Sequence, residues 1–175
     1  HHLCHIASAY YPSGFENALC LSLDGMAENE TGMIAEANSG KINILHAKNL
    51  YPNSLGLFYS AITDFLGWKH HCDEGIIMGL APYGDPHEIV PKTNKSYIEV
   101  FDDILVEKNE YEFEINLKFV DYYTERNKWV TNKFKKIFEK KKKYSDPLTK
   151  YHKNIAAALQ LKLENFVIKQ LKAAN

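Results

Sequence analysis

Between Asn17 and Gly67 the apolar residues change their spacing, and that change limits the fold more than any other feature of the chain. The run NALCLSLDG is compact, apolar and short enough to be a buried strand, and it ends in Asp24-Gly25. TGMIAEANSGKINILHAKNL continues as strand, turn, strand, with Asn38-Ser39-Gly40 as the hairpin turn. NSLGLFYSAITDFLGW then takes helical spacing, placing Leu55, Phe58, Ile62 and Phe65 on one stripe. Asn53 or Ser54 can cap its start, and Gly67 can supply its left-handed end. Strands interleaved with helices predict an α/β domain. The hairpin after Asp24 predicts a mixed sheet with flanking helices rather than a purely parallel one.

The remaining stretches fill in around this frame. His1 to Tyr11 reads as a short helix ended by Pro12, Ser13 and Gly14. DEGIIMGLAPYGDP holds three glycines and two prolines and reads as a loop. Ser96 to Leu117 reads as two or three strands, and FVDYYTERNKWVTNKFKKIFEKKKKY as a helix with a basic end. Asp146 is expected to cap a last helix with Pro147 at its first position. In that helix Ile155, Leu159, Leu163 and Phe166 form an apolar face.

At 175 residues the chain has the size of one domain, or of a large piece of one. It lacks an initiator methionine, and its last segment stops while still helical, so a fragment is expected. The net charge of -1 gives no global reason to expect a nucleic-acid or anionic-membrane partner. No apolar run approaches the roughly 20 residues needed to cross a bilayer. Three widely spaced cysteines, Cys4, Cys20 and Cys72, fit free thiols in a reducing compartment, so a cytoplasmic location is expected.

His1 and His5 stand four apart, which puts both imidazoles on one helix face, one turn apart. Two side chains at this spacing can bind one cation. His2 points elsewhere, and Asp24, at the end of a strand and before a glycine, is the best candidate for a further ligand. The spacing matches that of a zinc-peptidase helix, but the glutamate base of that motif is missing. Histidine nitrogens with a carboxylate oxygen suit Fe(II), Zn(II) or Mn(II). The residues alone equally allow a leftover tag, or a pair of surface histidines beside a turn-forming Asp24.

Four stretches, HHLCHIASAYYPSGFENA, LSLDGMAE, YPNSLGLFYSAITDFLGWK and DEGIIMGLAPYGD, together resemble the nodulation-type O-carbamoyltransferases. KYHKNIAAALQLKLENF resembles the helix that follows in that family, and Ser96 to Tyr144 is the least similar part. These enzymes make carbamate esters on antibiotics and lipo-oligosaccharide signals. The resemblance implies an actin/Hsp70-like ATPase fold, related to the domain that installs threonylcarbamoyl groups on transfer RNA. It implies that His1 and His5 are metal ligands. It also implies that Asp24 contacts both metal and nucleotide phosphate, and it places Fe(II) first among the metals. ATP and carbamoyl phosphate are the implied co-substrates, and a hydroxyl of a small molecule or saccharide is the acceptor. The family's phosphate loop, glycine-rich adenosine loop, later metal-binding aspartate and carbamoyl-adenylate-forming domain are not in this sequence. Residues 1–175 are therefore expected to be an incomplete metal- and nucleotide-binding domain, inactive alone, whose partner is that adenylate-forming domain.

Several further residues are candidates for the chemistry. His2, Asp24 and Glu28 could take the acceptor's proton, as candidates by proximity only, with Asp24 less basic if it binds the metal. Gly25, Gly79 and Gly84 could let backbone approach a phosphate, with a tight turn as the equal alternative for the last two. Glu74 could orient the acceptor, and Tyr10 and Tyr11 could line a pocket or simply pack. His70, His71 and Cys72 form a weaker second cluster. The lysines from Lys135 to Lys143 read as a solvated face. A transfer-RNA-modifying enzyme of the same fold and a non-catalytic metal-binding module are the rival functions, and the near-neutral charge disfavours nucleic acid.

Overall fold

The structure, a computed structural model, describes residues 1–91, 93–124, 127–139 and 141–174, and at positions 47 and 48 the backbone alone. It divides into two compact units. The first holds His1–Leu57, Glu107–Glu114 and the residues from Phe166 onward, and the second holds Phe58–Val106 and Ile115–Asn165.

The first unit is built on a three-stranded antiparallel sheet of β1 (Asn17–Ala27), β2 (Glu30–Asn38) and β3 (Lys41–Leu50), in that order. Ser39 and Gly40 join β2 to β3 with φ of 47° and 80°, the left-handed pair that a two-residue hairpin needs to match strand twist. Helix α1 (His2–Ser13) lies on this sheet. It buries His2, Ile6 and Tyr10, one residue per turn, and Ile6 packs with Met33, Ala35, Cys20 and Ile42. Pro12 sits inside the helix, which runs on to Gly14, whose φ of 77° ends it. The end of the chain's last helix, α6 (Lys150–Ala174), belongs to this unit, where Phe113 meets Phe166 edge-on and Gln170 donates to the Tyr111 carbonyl.

The second unit is helical and aromatic. Helix α2 (Leu55–Phe65) starts in the first unit and runs into this one, and all four residues of its expected stripe are buried. Phe58 meets Phe101, Phe65 meets Phe134, and Phe138 contacts both Phe101 and Phe134, with ring centroids between 4.6 and 5.8 Å apart. Aromatic pairs at such separations add to the burial of their own area.

Several expectations give way here. The three-stranded sheet is antiparallel throughout, not mixed, and β1 lies at its edge, largely half-buried. DEGIIMGLAPYGDP is not a loop: Glu74–Leu80 forms helix α3, followed by a 3-10 turn at Ala81–Tyr83. A glycine inside a helix costs about 1 kcal/mol, and burial of Ile77 and Leu80 offsets this for Gly75 and Gly79. Residues from Ser96 begin with helix α4 (Tyr97–Ile104), fixed by a capping box between Ser96 and Glu99, before two short strands, β4 (Leu105–Glu107) and β5 (Phe113–Ile115). The long basic helix shrinks to α5 (Asn132–Ile137), capped by Thr131.

Helix α6 begins at Lys150 rather than at Pro147, because the Asp146 carboxylate accepts from the Lys143 N–H and closes a turn instead of capping. Lys140, part of the expected lysine cluster, lies outside the described residues. Among the described residues no helix is long and apolar enough to cross a membrane.

Candidate metal centre

Two local devices place the site. The first is a bulge in β1. Leu23 pairs with Gly32 and Ala27 with Glu30, so Asp24, Gly25 and Met26 face only Thr31 across the ladder. Extra residues in one strand break the pairing and re-aim side chains. The second device is the start of α2. The Ser54 hydroxyl accepts from the Leu57 N–H, as an N-cap does, and lies 3.1 Å from the Asp24 carbonyl and 2.5 Å from the Gly25 carbonyl. It thereby serves bulge carbonyls that the ladder leaves behind. Gly56 makes this approach possible. A Cβ there would lie 2.7 Å from the Gly25 nitrogen and 2.8 and 2.9 Å from the carbonyl carbon and oxygen of Asp24.

Helix α1 brings the other half of the site. Buried His2 bonds through Nδ1 to the Ser22 hydroxyl at 2.9 Å, which pins the first turn of α1 to β1 two residues before Asp24. His1 and His5 then lie on the neighbouring face. His1 Nε2 is 2.7 Å from Asp24 Oδ2 and 3.0 Å from His5 Nε2, and His5 Nε2 is 3.6 Å from the same carboxylate oxygen. The other carboxylate oxygen, Oδ1, accepts from the Gly25 N–H at 2.6 Å, so the group cannot rotate freely.

These atoms fit a cation. An imidazole Nε2 carries at most one proton, so His1 cannot make a full hydrogen bond to Asp24 and to His5 with the same atom while His5 faces both. Three lone pairs converging on one point are instead what a cation needs, and all three ligand atoms lie within 4.8 Å of one another. Bond lengths of about 2.0–2.2 Å to His and carboxylate ligands are compatible with that triangle. All three side chains are roughly half exposed, so the site faces solvent and keeps positions open to further ligands. A cleft of about 580 Å³ runs from His5 and Asp24 along α1 and β1, past Ile6, Tyr10 and Leu19.

Not every candidate joins the group. His2 is buried and held by Ser22, away from solvent. Glu28 is exposed in the turn after the bulge, with φ of 57°. Gly25 has only Leu57 near a would-be Cβ, at an ordinary 3.7 Å, while its N–H and carbonyl are taken by Asp24 Oδ1 and the Ser54 hydroxyl. Gly79 lies on an open helix surface. Gly84 has a packing role: a Cβ there would strike the Lys153 carbonyl of α6 at 2.1 Å. Tyr10 lines the cleft but is buried and bonds the Glu16 carbonyl, while exposed Tyr11 reaches the Gly40 carbonyl.

In the second unit the Glu74 carboxylate accepts from the Ser60 hydroxyl and the His71 N–H. Burial alone would raise the Glu74 carboxyl, but these hydrogen bonds outweigh it and hold the group below its ordinary value. His70 and His71 meet Trp129, and the burial of His70 lowers its pKa. Ser54 and Gly56 are the residues that sequence reasoning missed at the metal centre. Ser54 stood out only as a helix cap, and nothing near Asp24 in sequence points to either.

The chain is thus an α/β protein with a His-His-Asp candidate metal centre. It belongs to the carbamoyltransferase N-terminus family, which it matches over residues 1–175. It is 34% identical over 172 residues to an uncharacterised protein, sll1178, of Synechocystis, covering 97% of this chain and 26% of that protein. It is 31% identical to the nodulation protein NolO of Bradyrhizobium diazoefficiens, covering 98% of this chain and 28% of the relative. For the nodulation protein NolNO of Sinorhizobium fredii the identity is 32%, covering 98% of this chain and 22% of the relative. The chain therefore spans about a quarter of the length of these relatives.

Proposed function

We propose that this chain is the metal-holding part of an O-carbamoyltransferase of actin/Hsp70-like fold. In the whole protein, carbamoyl phosphate and ATP give carbamoyl adenylate in a separate domain. The carbamoyl group then passes to a hydroxyl of a small-molecule or saccharide acceptor. The observation that carries this reading is the convergence of His1, His5 and Asp24 in a chain of the carbamoyltransferase family.

His1, His5 and Asp24 would hold a divalent cation, with Fe(II) first and Zn(II) or Mn(II) as alternatives. When bound, it supplies a Lewis acid that polarises oxygen and anchors phosphate. The chain's own residues orient the centre. Gly25 fixes one oxygen of Asp24, so the carboxylate presents a single oxygen to the histidines. His2, buried and bonded to Ser22, is a positioning residue rather than a base. Of the base candidates other than the proposed ligand Asp24, Glu28 is exposed and His2 is buried. The cleft beside His5 and Asp24 gives an acceptor a half-apolar surface on which to lie.

The test uses His1→Ala, His5→Ala and Asp24→Asn in the full-length protein supplied with carbamoyl phosphate, ATP and a hydroxyl acceptor. Each variant should lose metal by elemental analysis and lose carbamoyl transfer, because the remaining ligands hold a cation poorly. Undiminished metal content in both histidine variants would remove the ligand assignment.

A further inference from the structure

A second cavity, of about 490 Å³, largely apolar in its lining but ringed by lysines, lies in the helical unit, between the end of α2 and the segment 141–144. The local backbone explains why it is there. The Lys142 N–H donates to the Phe65 carbonyl at the end of α2. Gly67 lets the two segments touch, since a Cβ there would lie 2.6 Å from the Lys142 carbonyl oxygen.

The charge in this cavity is not balanced. Lys141 pairs with Asp64 at 2.6 Å. Lys135, Lys142 and Lys143 also line it; Asp146 accepts from the backbone N–H of Lys143, but among the described residues no carboxylate pairs with the ammonium group of any of the three. Lys142 is the unusual one, with only 4% of its surface exposed. Its Nζ donates to the carbonyls of Lys143 and Tyr144 at 2.8 and 3.2 Å and lies 4.9 Å from the centre of the Trp68 ring. An ammonium has three donors, so one is left over. A buried charge without a counter-charge is unfavourable, and an anion in the cavity relieves it. Exposed Lys135 and Lys143 stand at the same opening.

We propose that this cavity binds a small ligand carrying a phosphate group, with Lys142 as its buried anchor and Lys135 and Lys143 as the exposed clamp. The site is concave and built around one buried ammonium, which fits a compact phosphate better than a nucleic-acid strand. A strand needs a basic stripe along its backbone. The Tyr144 ring, largely exposed at the rim, offers a flat surface to any ring the ligand carries. This inference is independent of the transferase reading, because it uses no residue of the metal centre.

Pyrophosphate is titrated calorimetrically into the chain at low ionic strength, with chelator present so that the metal centre contributes nothing. Saturable one-site binding is expected, weakening as salt screens the lysines. The double variant Lys135→Ala/Lys143→Ala, altered only at exposed positions, should bind at least tenfold more weakly. Lys142→Met should lose binding, and its melting curve shows whether it still folds. Repeating the titration with ADP separates two sources of the phosphate. Tighter binding than pyrophosphate, lost in Tyr144→Ala, assigns a nucleotide, and equal binding assigns phosphate alone. No saturable binding, unchanged affinity in the double variant, or tighter binding of single-stranded RNA than of either probe would overturn the proposal.

Discussion

Replacing Gly56 with alanine should damage the proposed metal centre without touching a proposed ligand. The new Cβ would stand 2.7–2.9 Å from three backbone atoms of Asp24 and Gly25. Ordinary carbon contacts need about 3.5 Å, so the start of α2 and the bulge must part by about 0.5–1 Å. Overpacking of this kind costs about 1–3 kcal/mol, and the helix propensity gained by replacing glycine returns up to about 1 kcal/mol. The net loss of up to about 3 kcal/mol should lower the melting temperature by up to about 12 °C. The effect on metal should be larger in proportion. Ligand distances in a good site hold to about 0.2 Å, and disturbing a supporting residue commonly weakens affinity about 10–100-fold. Zinc affinity by competition titration and thermal melting on the same preparation measure both effects. Gly79→Ala is the control: no atom lies within 4 Å of its Cβ position, so it should melt slightly higher and bind zinc as the parent does. Parental zinc affinity in Gly56→Ala would refute the claim that Ser54 and Gly56 position Asp24.

Gly84→Ala should destabilise the helical unit by about 3 kcal/mol or more in urea unfolding, since its Cβ meets the backbone of Lys153 rather than a flexible side chain. A near-neutral result would return Gly84 to the list of phosphate contacts. Ser96→Ala removes the capping box of α4 and should cost about 1 kcal/mol by the same measurement. Glu74 makes acid stability testable: its folded pKa lies below the unfolded value of about 4.3, so its contribution is fully present above that pH. The contribution disappears as pH falls through the folded value, and Glu74→Gln should flatten that part of the stability curve. An identical acid limb in the variant would mean that the hydrogen bonds from Ser60 and His71 do not favour the charged form.

What could be read in the sequence was periodic or local. The stripe from Leu55 to Phe65 and the Ser39-Gly40 turn follow from spacing and from left-handed backbone, and both are present as expected. Helix α3 was hidden because glycines at 75 and 79 read as punctuation, whereas the buried side chains of Ile77 and Leu80 decide the outcome. Helix α4 is legible in the sequence. Ser96 and Glu99 are a capping-box pair, and Tyr97, Val100, Phe101 and Ile104 have helical spacing. The expected helix from Phe119 was reduced to six residues because its first half closes on itself through the pairing of Val120 with Val130.

The candidate metal centre shows why candidate ligands stand out in a sequence more easily than the structure that holds them. His1 and His5 declare themselves because four residues make one helical turn, a relation that needs no tertiary fold. Asp24 declares itself more weakly, as a carboxylate at a strand end. Its aim, however, depends on residues thirty positions away. Pairing of β1 with β2 breaks where Asp24 leaves the ladder, and the carbonyls freed there need new donors. Ser54 provides one hydroxyl for them, and that hydroxyl can reach only because residue 56 has no side chain. A regular strand through Asp24 would face the sheet's own alternation and turn the carboxylate according to its register. The bulge frees it from that alternation, and α2 then fixes the freed backbone. Local regularity is given up where the carboxylate meets two imidazoles, and a neighbouring element stabilises the irregular backbone.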